Sequence, residues 1–301
     1  MRARRHQTEV FRGAEGNRLV ADVYGDGPRA ALFLHGGGQT RHAFAEAAAR
    51  LARAGFTAVA LDQRGHGDSD WSAAGNYDVS DFAADAALVA AAIEKRVAKP
   101  AVIGASLGGM AAMLAEGEAQ RRGLPPRFSA LVLVDVTPRF DPLGALKIRG
   151  FMRARAQEGF ASIDEAADAV AEYLPHRPRP ASTEGLRKNL RLHEDGRWRW
   201  HWDPRFFDGP RPIQASHFEH EAARVEAIKG LRIPALLVRG ASSELVREED
   251  AREFLALAPR ARFVDVAGAR HMVAGDRNDA FSDAIIAFLT ELAAEGEKTS
   301  P

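Results

Sequence analysis

The sequence predicts an α/β protein with a mostly parallel, twisted sheet flanked by helices. Its apolar runs are continuous rather than alternating, which is typical of strands buried on both faces of a parallel sheet. These runs alternate with helical segments, which favours a doubly wound fold. With 301 residues, 46% of them hydrophobic, the chain can form one large domain that carries an insertion.

The elements are predicted in order along the chain. Two short strands, 9–12 and 18–24, are joined by a turn at Glu15-Gly16-Asn17. Further strands are expected at 30–34, 56–61, 101–103, 130–134, 233–238 and 262–266. Helices are expected at 43–54, 79–97, 107–114, 248–257 and 276–294.

The character of the sequence changes after Pro138. Residues 144–173 have helical periodicity and many charges, and a tryptophan-rich segment follows at 198–202. The strand–helix rhythm resumes at Ile233. We therefore expect residues 1–138 and 229–301 to form the α/β core, and residues 139–228 to form a helical lid.

Composition excludes several classes of function. Lys plus Arg and Asp plus Glu both number 41, so no net charge favours nucleic acid or an anionic membrane. The chain has no cysteine, which excludes disulfides and cysteine-based metal sites. No apolar stretch is long enough to span a bilayer, and no signal peptide is evident. We expect a cytoplasmic protein without metal or cofactor, and its oligomeric state is open.

Ser106 is the centre of a G-x-S-x-G motif, Gly104-Ala105-Ser106-Leu107-Gly108. A predicted strand precedes it and a predicted helix follows it. A serine on such a sharp turn exposes its hydroxyl, and the new helix directs its N–H groups towards it. Ser106 is therefore the predicted nucleophile, and the alternative is a small-residue turn that lets a helix pack on the sheet.

A serine hydroxyl needs a base, and the base needs an orienting acid. His271 follows the last predicted strand and is the expected base. Glu244 follows the penultimate strand in the chain order Ser…acid…His and is the favoured acid. Asp135, at the end of the strand 130–134, is the alternative acid.

A tetrahedral intermediate needs two fixed N–H donors for its oxyanion. The N–H groups of Leu107 and of Gly37, in the run His35-Gly36-Gly37-Gly38, are the expected pair. We expect His35, Gly38 and Trp200 to bind substrate. For Trp200 and its alternating neighbours Trp198 and Trp202, the favoured alternative is a small core within the insertion.

Together these motifs resemble the α/β-hydrolase superfamily, and most closely its esterase, lactonase and cofactor-free haloperoxidase-like members. The resemblance is carried by residues 34–38, 61–69, 104–109 and 268–271. It implies the α/β-hydrolase fold, with a lid between Asp135 and Pro234. It also implies that the loop around His66 braces the site, with Asp62 and Arg64 structural. This chain departs from such families in having Glu244 where an aspartate is usual.

The expected activity is cleavage of a carboxylic ester, a lactone or a related small carbonyl compound through an acyl-enzyme on Ser106. Hydrolysis of a carbon–carbon bond and perhydrolysis are alternatives on the same triad. A non-catalytic receptor that holds a small molecule under the lid is the alternative from another class. The sequence does not distinguish the substrate.

Overall fold

The computed structural model describes residues 6–175, 179, 182–213, 219–273 and 278–299. Its centre is an eight-stranded sheet with the order β1-β2-β4-β3-β5-β6-β9-β10. The strands are β1 (His6–Arg12), β2 (Arg18–Tyr24), β3 (Arg29–Leu34), β4 (Phe56–Leu61), β5 (Ala101–Ala105), β6 (Leu131–Val134), β9 (Ala235–Gly240) and β10 (Arg262–Val266). Strand β2 is antiparallel to both of its neighbours, and the other six strands of this sheet, β4, β3, β5, β6, β9 and β10, are parallel to one another. The predicted mostly parallel sheet is confirmed.

Helices cover both faces of this sheet. They are α1 (Ala45–Arg53), α2 (Val79–Arg96), α3 (Leu107–Arg121), α4 (Pro142–Arg153), α5 (Ile163–Tyr173), α6 (Glu184–Arg187), α7 (Arg205–Asp208), α8 (Glu221–Lys229), α9 (Glu248–Leu257) and α10 (Asn278–Thr299). A short 3₁₀ helix, Arg41–Phe44, precedes α1. The predicted final helix begins at Asp276, which lies outside the described residues.

Alternate residues of each central strand enter different cores. In β3, Leu32 and Leu34 belong to the core under α2 and α3, whereas Ala31 and Phe33 belong to the core under α1 and α10. All four side chains are completely buried. A continuous apolar strand therefore results from burial on both faces.

The strand order places the predicted chemistry at one edge of the sheet. Leu34 pairs with Gly104, Ala105 pairs with Val134, and Val134 pairs with Val238. Because these strands are parallel and in register, the loops after β3, β5, β6 and β9 leave the sheet side by side at its carboxyl edge.

The segment between β6 and β9, which we call the β6–β9 segment, contains α4 to α8 and one hairpin. The hairpin pairs β7 (Leu190–Leu192) with β8 (Trp198–Trp200). The insertion expected to be helical therefore also contains a short hairpin, at the tryptophans whose alternation is typical of a strand. Alternating large side chains with β propensity formed a hairpin there. The predicted boundaries at 138 and 229, and the role as a lid, stay predictions.

None of the helices in the described ranges combines the length with the apolar character that a bilayer crossing requires.

Candidate active site

Ser106 occupies a sharp turn between β5 and α3. Its backbone has φ 47° and ψ −113°, which is rare for a residue with a side chain. The turn is fixed by hydrogen bonds from Ser106 N to Val134 O (3.3 Å) and from Met110 N to Ser106 O (3.0 Å). The hydroxyl forms no hydrogen bond to any other described residue, so it is available at the sheet edge.

The glycines of the motif permit this turn because there is no room for a side chain. A Cβ on Gly104 would lie 2.6 Å from the backbone of Gly108 and Gly109. A Cβ on Gly108 would lie 2.2 Å from Leu34 O, and one on Gly109 would lie 2.4 Å from Val136 Cγ1. Helix α3 therefore packs directly on β3 and β5, and this contact places its first turn beside Ser106.

His271 is hydrogen-bonded to Asp135. The distance from His271 Nδ1 to Asp135 Oδ2 is 2.7 Å, with the carboxylate fully buried and the imidazole 13% exposed. Asp135 follows β6 with φ 49°, a second strained position at this edge. Its carboxylate also accepts hydrogen bonds from Gly240 N (3.0 Å) and from Ser243 Oγ (2.5 Å). Three donors therefore fix the orientation of Asp135.

The His271 loop is docked closely on the loop after β9. Ala241 N donates to Val266 O and Ser242 N donates to Ala269 O, both at 3.0 Å. A Cβ on Gly240 would lie 2.3 Å from Arg270 O, so only glycine allows this approach. This docking places the His271 imidazole beside the carboxylate of Asp135, the residue after β6.

Glu244, the favoured acid in the sequence, does not fill that role in the geometry. No ion pair within 4.0 Å joins it to His271 among the described residues, and the imidazole is bound to Asp135. The Oε2 atom of Glu244 is buried without a hydrogen-bond partner in the described part of the chain. Burial and then the Glu244 charge raise the pKa of Tyr173 to about 12, so Glu244 lies towards α5. The Asp135 carboxylate, directly after β6, therefore occupies the position next to the His271 imidazole.

Gly37 and Leu107 each present a free backbone N–H. Neither N–H donates to another residue within the described ranges. Leu107 is the first residue of α3, where N–H groups have no partner inside the helix. The peptide from Gly36 to Gly37 is trans, and its carbonyl accepts from His35 Nδ1 at 2.8 Å. The Gly37 N–H therefore points away from the His35 ring. Both groups can act as oxyanion donors.

Three buried histidines hold the loop Gly36-Gly37-Gly38, which we call the glycine loop. The His66 ring lies 5.1 Å from that of His35 and 5.8 Å from that of His201. Gly38 N donates to His66 Nε2 (3.1 Å), and Gly38 O accepts from His201 Nε2 (3.3 Å). The β6–β9 segment, which carries His201, thus contacts this loop directly.

Each of these rings has a defined proton position. His35 Nε2 accepts from Gln63 N, and His201 Nδ1 accepts from Gly67 N (2.7 Å). His66 Nδ1 lies 2.9 Å from Arg64 O and must carry its proton, because Nε2 accepts from Gly38. Every ring is therefore neutral. Burial, the main cause, lowers the pKa of His35 to about 4 and that of His66 to about 3. It also lowers the pKa of His201 well below its usual value.

His35 therefore has no free ring nitrogen for a substrate. It is completely buried, and Gln63 also donates through Nε2 to His35 O at 2.6 Å. The prediction that His35 binds substrate directly disagrees with this geometry, because both ring nitrogens bond to the protein. His35 orients the backbone that does face the site.

Apolar side chains of the β6–β9 segment cover the glycine loop. If Gly37 carried a Cβ, that atom would lie within 3.8 Å of Met152 and Phe206. If Gly38 carried one, it would lie 3.2 Å from Trp202. The Trp200 ring stacks on Trp202 at 5.0 Å, one layer further out. Both tryptophans belong to the main apolar core. Gly38 and Trp200 as substrate-binding residues stay predictions.

The loop after β4 is fastened by ion pairs. Arg64 is 1% exposed and binds Asp85 through Nε (2.7 Å) and Nη2 (2.8 Å). Asp62 is bound by the guanidinium of Arg41 and accepts from Arg41 N at 2.6 Å. These contacts agree with the structural roles expected of Asp62 and Arg64.

Within the described part of the chain, one cluster outside this site contains side chains of the kinds that bind metals. Atoms of Asp78, Glu219 and His220 lie within 4.8 Å of one another. However, Asp78 Oδ1 already accepts from Ser80 N (2.8 Å) and His220 Nε2 (2.9 Å), and it caps α2. Arg211 Nη2 also lies 3.9 Å from Asp78. We therefore interpret the cluster as the N-terminal cap of α2, stabilised by ion pairs.

Sequence reasoning missed Ser243 and His201. Ser243 is the residue before Glu244, and its hydroxyl contacts Asp135 and also accepts from Leu245 N and Val246 N (3.1 Å each). A serine in a loop carries no signal for this. His201 lies between two tryptophans, and that alternation indicated a strand rather than a contact with residues far away in the chain.

A half-buried serine on a strand–helix turn, a histidine–aspartate pair and two free N–H groups at one sheet edge are typical of a hydrolase-type site on an α/β sheet. Residues 31–284 match the model of the alpha/beta hydrolase family, and the chain belongs to that family.

The relatives are named as esterases and hydrolases. The esterase Rv0045c of Mycobacterium tuberculosis is 31% identical over 76% of this chain and 71% of its own. The 2-(acetamidomethylene)succinate hydrolase of Mesorhizobium japonicum is 31% identical over 88% of this chain and 89% of its own. These relatives support a hydrolase.

Solved structures agree on the fold. A structure of the M. tuberculosis esterase matches with a TM-score of 0.71 at 26% identity, covering 95% of this chain and 92% of that one. A structure of E-2-(acetamidomethylene)succinate hydrolase matches with a TM-score of 0.77 at 24% identity, covering 95% of this chain and all of that one. The predicted α/β-hydrolase fold is confirmed.

Proposed function

We propose that this protein is a serine hydrolase that cleaves a carboxylic ester or lactone through an acyl-enzyme on Ser106. The observation that carries the proposal is the 2.7 Å hydrogen bond between His271 and Asp135 at the sheet edge where the half-buried Ser106 occupies the strand–helix turn. Asp135 takes the place that the sequence assigned first to Glu244.

In the first half-reaction, Ser106 Oγ attacks the substrate carbonyl carbon and His271 Nε2 accepts the hydroxyl proton. The Nδ1–H of His271 is bound by Asp135, which sets the tautomer and stabilises the imidazolium. The Gly37 and Leu107 N–H groups hold the oxyanion. When the tetrahedral intermediate collapses, His271 gives the proton to the leaving alcohol, and the acyl group stays on Ser106.

In the second half-reaction, water attacks the acyl-enzyme with His271 as the base. A proton moves from water to Nε2 and then to Ser106 Oγ as the ester bond breaks, which releases the carboxylic acid. The Met152, Phe206 and Trp202 side chains beside Gly37 and Gly38 give the site an apolar wall. We therefore expect apolar acyl groups to be accepted.

The test is Ser106→Ala, assayed on p-nitrophenyl acetate and butyrate. We expect kcat/KM to fall at least about 10⁴-fold, because the nucleophile is lost while the oxyanion donors remain. The exposed Ser129→Ala is the matched control and should keep wild-type rates. Activity of the Ser106 variant at the wild-type level would reject the mechanism.

A fluorophosphonate probe separates a catalyst from a receptor on the same fold. The wild-type protein should be labelled on Ser106, and Ser106→Ala should not be labelled. An unlabelled wild-type protein would favour a small-molecule receptor.

A further inference from the structure

We propose that His201 is a positioning residue for the glycine loop, so that the Gly37 donor is correctly placed only while the β6–β9 segment is docked. This inference rests on the proposed function, since it concerns the donor that the mechanism uses. It assigns a catalytic consequence to a histidine that lies 163 residues from Gly38 in the chain.

Gly37 lies between two peptides that are each held by an imidazole. On its N-terminal side, the Gly36 carbonyl accepts from His35. On its C-terminal side, the Gly38 N–H donates to His66 (3.1 Å). Gly38 has φ 76°, and glycines allow wide backbone freedom, so hydrogen bonds rather than local sterics fix the loop. Gln39 N also donates to Gly36 O (3.1 Å) and closes the turn, while the imidazoles hold the peptides on either side of Gly37.

The next peptide in the loop is held from the β6–β9 segment. The Nε2–H of His201 donates to Gly38 O (3.3 Å), so the Gly38 residue is bound through its N–H by one ring and through its carbonyl by another. If His201 moves away, the Gly38 carbonyl loses this restraint and the loop can rotate. A rotation at Gly38 is passed to Gly37 through the peptide that joins them.

The docking of His201 is itself well defined. The side chain is 1% exposed, and Nδ1 accepts from Gly67 N at 2.7 Å. The next residues continue the contact, since Asp203 N donates to Gly65 O (3.0 Å) and Tyr77 Oη donates to Asp203 Oδ2 (2.6 Å). The ring is thus fixed against the loop after β4, and it extends from there to Gly38.

Two substitutions separate the two hydrogen bonds of the ring. In His201→Asn, the amide oxygen can still accept from Gly67 near the position of Nδ1, but no donor reaches Gly38. In His201→Gln, the amide nitrogen can lie near the position of Nε2 and donate to Gly38. His193→Asn, an exposed histidine in the β7–β8 turn, is the matched control.

The experiment measures kcat and KM for p-nitrophenyl butyrate and the inhibition constant of a boronic acid that forms a tetrahedral adduct on Ser106. For His201→Asn we expect kcat to fall about 10- to 100-fold with KM within twofold, because a misplaced donor acts on the transition state. The boronate constant should rise by a similar factor. His201→Gln should recover at least fivefold of the lost kcat, and His193→Asn should match wild type.

The outcomes distinguish this proposal from the proposed function. If Ser106→Ala abolishes activity while His201→Asn keeps kcat within twofold of wild type, the positioning role is wrong and the serine mechanism stands. A rise in KM alone, with kcat and the boronate constant unchanged, would also overturn it, because it indicates only a pocket effect. Activity that survives in Ser106→Ala would refute the proposed function itself.

Discussion

Acidification from pH 7 to pH 5 should destabilise this protein through its buried histidines. Burial lowers the pKa of His35 to about 4 and that of His66 to about 3, from 6.5 in the unfolded chain. The unfolded state therefore binds more protons than the folded state below pH 6.5. The stability that the neutral rings contribute is complete above pH 6.5, and it is lost as the pH falls towards those folded values.

The size of the effect follows from the pKa differences. At pH 5 the folded rings are still neutral, and the unfolded rings are one and a half pH units below their pKa. At about 1.4 kcal/mol per unit, each ring costs about 2 kcal/mol, and the two together cost about 4 kcal/mol. His201 and His42, whose pKa values burial also lowers, add to the loss. This is a large part of the 5–15 kcal/mol typical of a folded protein.

The assay is urea unfolding followed by tryptophan fluorescence at half-unit steps from pH 7 to pH 5. Carboxyl groups with a lowered pKa, such as Glu9, contribute mainly below pH 4.5. Burial raises the pKa of Asp81 and that of Glu116, and these two groups oppose the loss as the pH falls, so a histidine variant is needed to assign the slope. His66→Asn should reduce the slope of unfolding free energy against pH near pH 5 by about 1.4 kcal/mol per unit. His193→Asn should leave it unchanged, because an exposed ring is solvated in both states. A free energy that stays within about 1 kcal/mol over the whole range would refute the reasoning.

Two further substitutions test the site and its support. Asp135→Asn should lower kcat by about 10³- to 10⁴-fold, since the amide favours the wrong imidazole tautomer, whereas Glu244→Gln should stay within threefold. If steady-state assays instead show the larger loss of kcat in Glu244→Gln, Glu244 is the triad acid. Gly108→Ala should cost about 3 kcal/mol in thermal or urea unfolding, because its Cβ would lie 2.2 Å from Leu34 O. Gly150→Ala, with open space around it, should change stability by less than about 1 kcal/mol, and an equal loss in both would refute the packing account.

The fold could be predicted from the sequence because the patterns that indicate it are local. Continuous apolar runs such as β3 were strands buried on both faces, and the Gly-x-Ser-x-Gly turn predicted the junction of β5 and α3. The candidate residues Ser106, Gly37 and Leu107 each follow a strand or begin a helix. Their positions at the sheet edge could therefore be predicted from topology.

The partner of His271 could not be predicted, because it depends on contacts across strands. Glu244 and Asp135 both follow strands that end at the same edge, and chain order favoured Glu244. The choice was decided by Gly240 N and Ser243 Oγ, which orient the Asp135 carboxylate towards the ring. No sequence pattern predicts that Gly240 N and Ser243 Oγ bind Asp135, and none predicts the contact of His201 with Gly38.

The β6–β9 segment leaves and re-enters the sheet on adjacent strands, since Val134 pairs with Val238. Because the two strands are parallel, the segment leaves at the carboxyl end of β6 and re-enters at the amino end of β9, where Ala235 pairs with Leu131. Three residues of rise and one strand spacing therefore separate its two ends by roughly 11 Å. Asp135 is the first residue of the segment and His271 follows β10, so exchanging the part of the segment after Asp135 for one from a relative would leave the acid and the base in place. Such a graft would change the wall over the glycine loop as one module. It would also have to supply its own donor to the Gly38 carbonyl, and that requirement gives a simple criterion for choosing which segments to transplant.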